Sequence, residues 1–288
     1  MAEPKTHTLE VPGAILTYDI RDAETGAGPV LLMIGCPMGA AGFGTLAGYF
    51  PDHTVVTYDP RGVERSTRTD DARESTPDQH ADDLHRLIAA LDRGPVDLFA
   101  SSGGAVNALA LVAKHPEQVR TLVAHEPPAA QALPDREHAL AATSEVCRVY
   151  AEHGFGPAMA KFLSLISHQG EVPADFAEWP TPDPAELGMP AEDDGTRDDV
   201  MFAQNLATLA YYEHDFDALR AAPTRIVLAG GAESEGQLAR RAGEAVAQRL
   251  GTDMVAFPSN HSGFLGGEYG QTGEPEAFAT ALRRVLNT

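Results

Sequence analysis

The chain has 288 residues, 43% of them hydrophobic and 22% charged, with a formal net charge of −21. This suits one large globular domain, or one domain carrying a sizeable insertion, and is too apolar for a disordered chain. The acidic balance disfavours nucleic acid, whose phosphates require clustered Lys and Arg, and equally disfavours an anionic membrane surface.

In chain order, residues 7–20 (HTLEVPGAILTYDI) read as two short strands around Pro12-Gly13, a hairpin signal. PVLLMIG (29–35) is an apolar run ended by Gly and Pro and reads as a buried strand. HTVVTYD (53–59), PVDLFA (95–100), RTLVAHE (120–126), TRIVLAG (224–230) and DMVAFP (253–258) read the same way. Helices are predicted between them. Thr76 is placed to cap a helix with Pro77 at its first position, and Leu84, Leu87, Ile88 and Leu91 then share one face. Residues 105–114, 237–250 and 275–286 are further predicted helices. Buried strands alternating with helices imply an α/β fold with a mostly parallel central sheet flanked by helices.

The rhythm breaks from about residue 129 to 222. No strand pattern is present there, and so long a stretch is a poor bare loop. Residues 137–168 and 198–220 read as helical, joined by the Pro- and acid-rich WPTPDPAELGMPAEDDGTRDD. Trp179 lies here with Phe155, Met159, Phe162, Leu165, Met201, Phe202, Tyr211 and Tyr212. The expected organisation is a core of residues 1–128 and 223–288 interrupted by a helical cap of residues 129–222.

Ligands of a parallel α/β sheet bind beyond the carboxyl ends of its strands. Past PVDLFA comes Ala100-Ser101-Ser102-Gly103-Gly104 and then a helix, which fits a nucleophile elbow G-x-S-x-G with Ala in first place. The turn is tight and needs small residues two before and two after the nucleophile. Centring on Ser102 puts Ala100 and Gly104 there, whereas centring on Ser101 puts Phe99 there, so Ser102 is the better nucleophile. The competing structural reading is a Ser-Gly loop that merely lets strand and helix approach.

A serine hydroxyl needs a base, usually His. His261, in VAFPSNHSGF, falls just past the last strand among small residues. His125 is the rival, but its position within a strand end suits a core role. A third group must orient the imidazole. Glu126 directly follows a buried strand and is fixed by Pro127-Pro128; Glu233 and Glu235 follow the next strand and are the alternatives. The oxyanion requires two backbone N–H donors. Gly103 supplies one, and Cys36 or Met38 the other, because Pro37 has none. Cys36 as nucleophile lacks an elbow around it.

From about residue 7 to 286 the chain resembles an α/β-hydrolase. The resemblance rests on the Gly35-Cys36-Pro37 turn, the TYDPRGVERS segment (57–66), the ASSGG elbow and the NHSGF histidine, in that order. Ile34 stands where the family usually has His, and Ala100 where the elbow usually has Gly. Members resembling the zearalenone lactone hydrolases carry their acid as a Glu after the strand that follows the elbow strand, which matches Glu126. The resemblance implies a serine esterase or lactonase that needs no cofactor and no metal. It also implies a cap roofing the pocket. With Met38 in the oxyanion loop below and Met159, Phe162, Trp179 and Tyr212 in the roof, the pocket would favour an apolar or aromatic ester or lactone.

Other readings remain. Gly42-Phe43-Gly44-Thr45-Leu46-Ala47 matches the dinucleotide pattern G-x-G-x-x-A, but its glycines come seven residues after Gly35 ends the strand. A receptor-like binding protein could share the fold, since fold does not fix function. A cofactor-free haloperoxidase or a C–C bond hydrolase would keep the serine. The two cysteines, Cys36 and Cys147, form no CxxC pair. MAEPKTHTLEV shows no leader pattern and no run suits a membrane helix, so a cytoplasmic location is expected. A homo-oligomer through exposed cap helices is compatible with the sequence.

Overall fold

A computed structural model describes residues 3–25 and 28–288. Its strands are β1 (Lys5–Val11), β2 (Ala14–Arg21), β3 (Val30–Ile34), β4 (Thr54–Asp59), β5 (Thr67–Arg68), β6 (Val96–Ser101), β7 (Val119–His125), β8 (Arg225–Gly231) and β9 (Val255–Phe257). They form one sheet in the order β1-β2-β4-β3-β6-β7-β8-β9, with the short β5 paired to β2. The pairs from β4 through β9 are parallel, and β1, β2 and β5 add an antiparallel margin. The helices are α1 (Gly44–Gly48), α2 (Pro77–Leu91), α3 (Gly103–Lys114), α4 (Arg136–His153), α5 (Phe155–Ser167), α6 (Leu206–Ala210), α7 (Phe216–Ala221), α8 (Leu238–Leu250) and α9 (Pro275–Leu286).

The apolar strand runs are explained by burial on both faces. Leu32, Ile34, Val56, Leu98, Ala100, Leu122 and Ala124 point into one core with α2, α3 and α8. Their neighbours Leu31, Met33, Val55, Phe99 and Val123 point into a second core with α1 and α9. Successive strand side chains alternate faces, so two buried faces require an uninterrupted apolar run. The start of α2 is set locally: Thr76 accepts from the Gln79 amide, Gln79 returns a bond to the Thr76 amide, and Pro77 occupies the first turn.

Between β7 and β8 the chain leaves the sheet and forms a helical insertion. Two expectations are corrected here. The helix predicted over 137–168 is two helices, α4 and α5, split at Gly154, whose φ of +80° lies outside the helical range. The helix predicted over 198–220 is a π-helical turn (Val200–Asn205) followed by α6 and, after a break, α7. Side chains impose these starts. Asp199 accepts from the Met201 and Phe202 amides, and Asp215 accepts from the Ala218 amide. The linker over 179–199 is irregular apart from one 3-10 turn, Pro184–Leu187. Among the described residues no helix is long and apolar enough to cross a membrane.

Thr76→Ala removes half of the α2 capping box and should destabilise the protein by about 1 kcal/mol. The urea midpoint should fall with the slope unchanged; an unmoved midpoint would show that tertiary packing alone sets the start of α2.

Candidate active site

The site grows from the register of the central strands. Ser101 of β6 lies directly beside His125 of β7. The chain turns off the sheet immediately after each. Ser102 (φ 57°) and Glu126 (φ 46°) both adopt left-handed backbone that non-glycine residues rarely occupy. Each turn is held by an amide. Ser102 N–H donates to the His125 carbonyl and Glu126 N–H to the Ala229 carbonyl, both at 2.9 Å.

Ser102 sits between the end of β6 and the first residue of α3. Small residues are required beside it. A Cβ at Gly104 would come within 2.8 Å of the Gly35 Cα, and one at Gly103 within 2.6 Å of the Cys36 carbonyl oxygen. Ser102 is half-buried and lines a cavity, whereas Ser101 is 2% exposed with its Oγ 3.3 Å from His125 Nδ1. The geometry therefore offers Ser102, not Ser101, to a ligand.

His261 lies four residues beyond β9. Its Nδ1–H donates to Glu126 Oε2 at 2.6 Å. The other carboxylate oxygen, Oε1, accepts from the Gly231 amide at 2.7 Å. Glu126 is 1% exposed while the His261 side chain is 38% exposed, so the pair is an acid buried behind an accessible imidazole. Burial pushes the Glu126 carboxyl up, but the hydrogen bond from His261, the two neighbouring imidazoles and the Gly231 amide outweigh it and hold it down at about 2. Glu233 and Glu235 are exposed, and among the described residues neither is bonded to His261.

His125 is fully buried among Phe99, Phe257, Phe264 and Phe278, stacked on His261 at 6.0 Å between ring centroids. Burial lowers its pKa to about 4, which keeps it neutral. The Cys36 thiol is buried and pushed up to about 12, so it stays protonated and is a poor nucleophile.

These groups open onto one cavity of about 320 Å³, lined by Cys36, Ser102, Gly103, Glu126 and His261 below. Its walls come partly from the insertion and partly from Gln237, Leu238, Ala239, Ser262 and Gln271 of the core. Phe162, Leu165 and Ile166 share one face of α5, and Leu206, Leu209 and Ala210 share one face of α6. Of the five pocket residues expected from sequence, Phe162 alone lines it. Met38 packs beneath Gly35 and Gly42, away from the cavity. Met159 packs into the large core. Trp179 lies against Phe176 and His168, with its carbonyl accepting from Lys161 Nζ at 2.6 Å. Tyr212 donates its hydroxyl to Asp78 at 2.8 Å. Composition drew attention to the large side chains. The 3,4 spacing of Phe162-Leu165-Ile166 and Leu206-Leu209-Ala210 was the better signal. Gln237, Gln271 and Asn205 also line the cavity and carried no sequence signal.

The Gly42–Ala47 segment forms a 3-10 turn running into α1, with Phe43 in the core. The Thr45 amide there is taken by Glu268 Oε1 at 2.8 Å, which closes the turn to a pyrophosphate. Among the described residues no cluster of three or more His, Cys, Asp or Glu could hold a metal ion.

Residues 28–216 match the alpha/beta hydrolase fold family. The chain belongs to that family. The uncharacterized hydrolase YraK of Bacillus subtilis (strain 168) is 32% identical over 266 residues, 89% of each chain. The enol-lactonase from Burkholderia xenovorans LB400 shares the fold with a TM-score of 0.68 and 17% identity, covering 98% of this chain and 100% of that one. A thermophilic esterase from Thermogutta terrifontis gives a TM-score of 0.65 at 21% identity, covering 99% and 98%.

The depressed Glu126 carboxyl predicts a pH signature. Its charged form is favoured in the folded state, so its contribution is complete above the unfolded value of 4.5 and is lost as pH falls toward about 2. The shift corresponds to on the order of 3 kcal/mol. Glu126→Gln should therefore be less stable than wild type at pH 7, with the gap narrowing as pH falls from about 5 to 2. Urea titrations across that range check it; a gap independent of pH would show that the carboxylate charge is not what stabilises the pair.

Proposed function

We propose that this α/β-hydrolase is a serine esterase or lactonase acting on an uncharged, largely apolar small molecule through an acyl-enzyme. One observation carries the reading: a buried Glu126 carboxylate bonded to His261 Nδ1, beside the Ser102 elbow, in a single apolar cavity.

In this reading Ser102 Oγ attacks the acyl carbon as its proton passes to His261 Nε2. The new C–O bond displaces the carbonyl π pair onto oxygen. The amides of Gly103, in the first turn of α3, and Cys36 hold that oxyanion. Collapse expels the alcohol, which takes the proton from His261. Water, deprotonated by His261, then cleaves the acyl-enzyme, releasing the carboxylic acid and restoring Ser102. Glu126 holds the Nδ1–H tautomer and balances the imidazolium charge. In a lactone the leaving alcohol stays tethered, so re-closure competes until water attacks.

The charge class follows from the walls. Among the described residues no Lys or Arg lines the cavity, and Glu126 lies in it. A substrate carboxylate would lose its hydration without gaining a Lys or Arg partner. The net charge of −21 further disfavours an anion's approach. A lactone preference draws support from the Glu126 position, which resembles the zearalenone-type hydrolases. The fold shared with an enol-lactonase adds to that support. In this organisation residues 129–222 act as the cap and residues 1–128 with 223–288 as the core.

The test is a rate panel of neutral p-nitrophenyl esters, hemi-ester dicarboxylates and macrocyclic lactones. Neutral esters or lactones should be hydrolysed and hemi-esters largely refused. Ser102→Ala should lose roughly 10³-fold or more in kcat, and Glu126→Gln about 10³- to 10⁴-fold. Glu233→Gln should match wild type. Full activity in Ser102→Ala, or a crippled Glu233→Gln beside an active Glu126→Gln, would overturn the assignment.

A further inference from the structure

Below the oxyanion loop lies a polar group that the acyl-transfer chemistry does not use. Three separate segments build it: the Cys36 turn after β3, His80 on α2, and Asn205 at the end of the π-helical turn in the insertion. All three residues are buried, at 3%, 0% and 1% exposure. A buried carboxamide in an apolar setting is costly unless its atoms are paired.

The hydrogen bonds fix every orientation. Asn205 Nδ2–H donates to the Val200 carbonyl at 2.7 Å, so the other end of the carboxamide is its oxygen. That Oδ1 accepts from His80 Nε2–H at 2.8 Å and from the Cys36 thiol at 3.5 Å. The acceptor demands the Nε2–H tautomer of His80. Burial, which lowers His80 to about 4, keeps its ring neutral. The Val200–Asn205 bond closes across the π turn itself, whose extra residue displaces Asn205 from an ordinary helical register. Above the network, the Cys36 backbone is pressed onto Gly103, the pair of amides assigned to the oxyanion.

We propose that Asn205 and His80 are positioning residues for the oxyanion step. Asn205 ties the insertion to Cys36, His80 holds Asn205 from beneath, and together they fix the Cys36 amide against Gly103. The inference rests on the esterase or lactonase reading. Neither side chain transfers a proton. Their effect is on where the Cys36 amide stands when negative charge develops, so they should matter more to the transition state than to bound substrate.

The experiment compares wild type with Asn205→Leu, His80→Gln, Cys36→Ser and Cys36→Ala. An ester the wild type hydrolyses is the substrate. An alkyl boronic acid, whose tetrahedral adduct on Ser102 puts an oxygen in the oxyanion site, reports the transition state. The matching alkyl carboxamide reports ground-state binding. Asn205→Leu should lower kcat at least tenfold with KM within about twofold, and weaken the boronic acid by the same factor while the carboxamide is unchanged. His80→Gln keeps a donor to Asn205 and should stay within a few-fold of wild type, and Cys36→Ser, which keeps a hydroxyl donor, should retain more activity than Cys36→Ala.

Asn205→Leu that melts and hydrolyses like wild type overturns the proposal. So does an equal loss for boronic acid and carboxamide, which would make Asn205 a pocket wall only. If Asn205→Leu fails to fold, the thiol pair decides: Cys36→Ala should be slower than Cys36→Ser, and equal rates overturn the proposal. A wild type that neither hydrolyses esters nor binds the boronic acid instead overturns the hydrolase reading beneath it.

Discussion

The register between β6 and β7 is the constraint on which the site depends. Ser101 faces His125 across the ladder, so the chain leaves both strands at one level. Ser102 and Glu126 then turn into left-handed backbone side by side. A one-residue slip would send every strand side chain to the opposite face, losing both cores and separating the two turns together. The strain at these two positions is sustained because the sheet over-determines it. Paired neighbours lie on either side, and the amides at 2.9 Å are bonded to adjacent strands.

Much of this was legible because it is imposed by local chemistry. A strand covered on both faces must be largely apolar, so PVLLMIG declared itself, and PVDLFA did so around one buried acid, Asp97, which is paired with Arg120. The elbow was legible through absence of bulk. Gly103 and Gly104 meet the backbone of the Cys36 turn and of Gly35 so closely that a Cβ has no room, and that demand is written directly in the residue type. Pro77 after Thr76 marked a helix start for the same reason. The location of Glu126 could be read from its strand, and the need for an acid behind the base pointed it to His261, but sequence left Glu233 and Glu235 as alternatives. That Oε2 meets His261, 135 residues away, is a tertiary fact.

The insertion was least legible. Its helices bury their apolar faces partly against one another and partly over a cavity, and periodicity alone cannot tell the two. Trp179 and Met159 are large and apolar, yet they lie partly buried against the core and off the cavity, while the smaller Leu206, Leu209 and Ala210 form part of the wall. The π turn that carries Asn205 has no sequence signature at all. It arises where Asp199 caps the chain and Asn205 bonds back to Val200, a compromise between neighbouring elements rather than a preference of its residues.

The electrostatic design follows from what is buried and what is not. Glu126 is withdrawn from water with both oxygens bonded, while the imidazole in front of it stays accessible. In the proposed acyl transfer, positive charge on His261 would form against a carboxylate that is already desolvated and fixed, so little would have to reorganise. Behind that imidazole the protein places His125, kept neutral by its aromatic cage. A second charged ring there would oppose the imidazolium, whereas a neutral one packs against it without an electrostatic penalty. The depth of His125 and the exposure of His261 are thus two sides of one arrangement: a buried ring kept neutral packs behind an accessible one that is bonded to the Glu126 carboxylate.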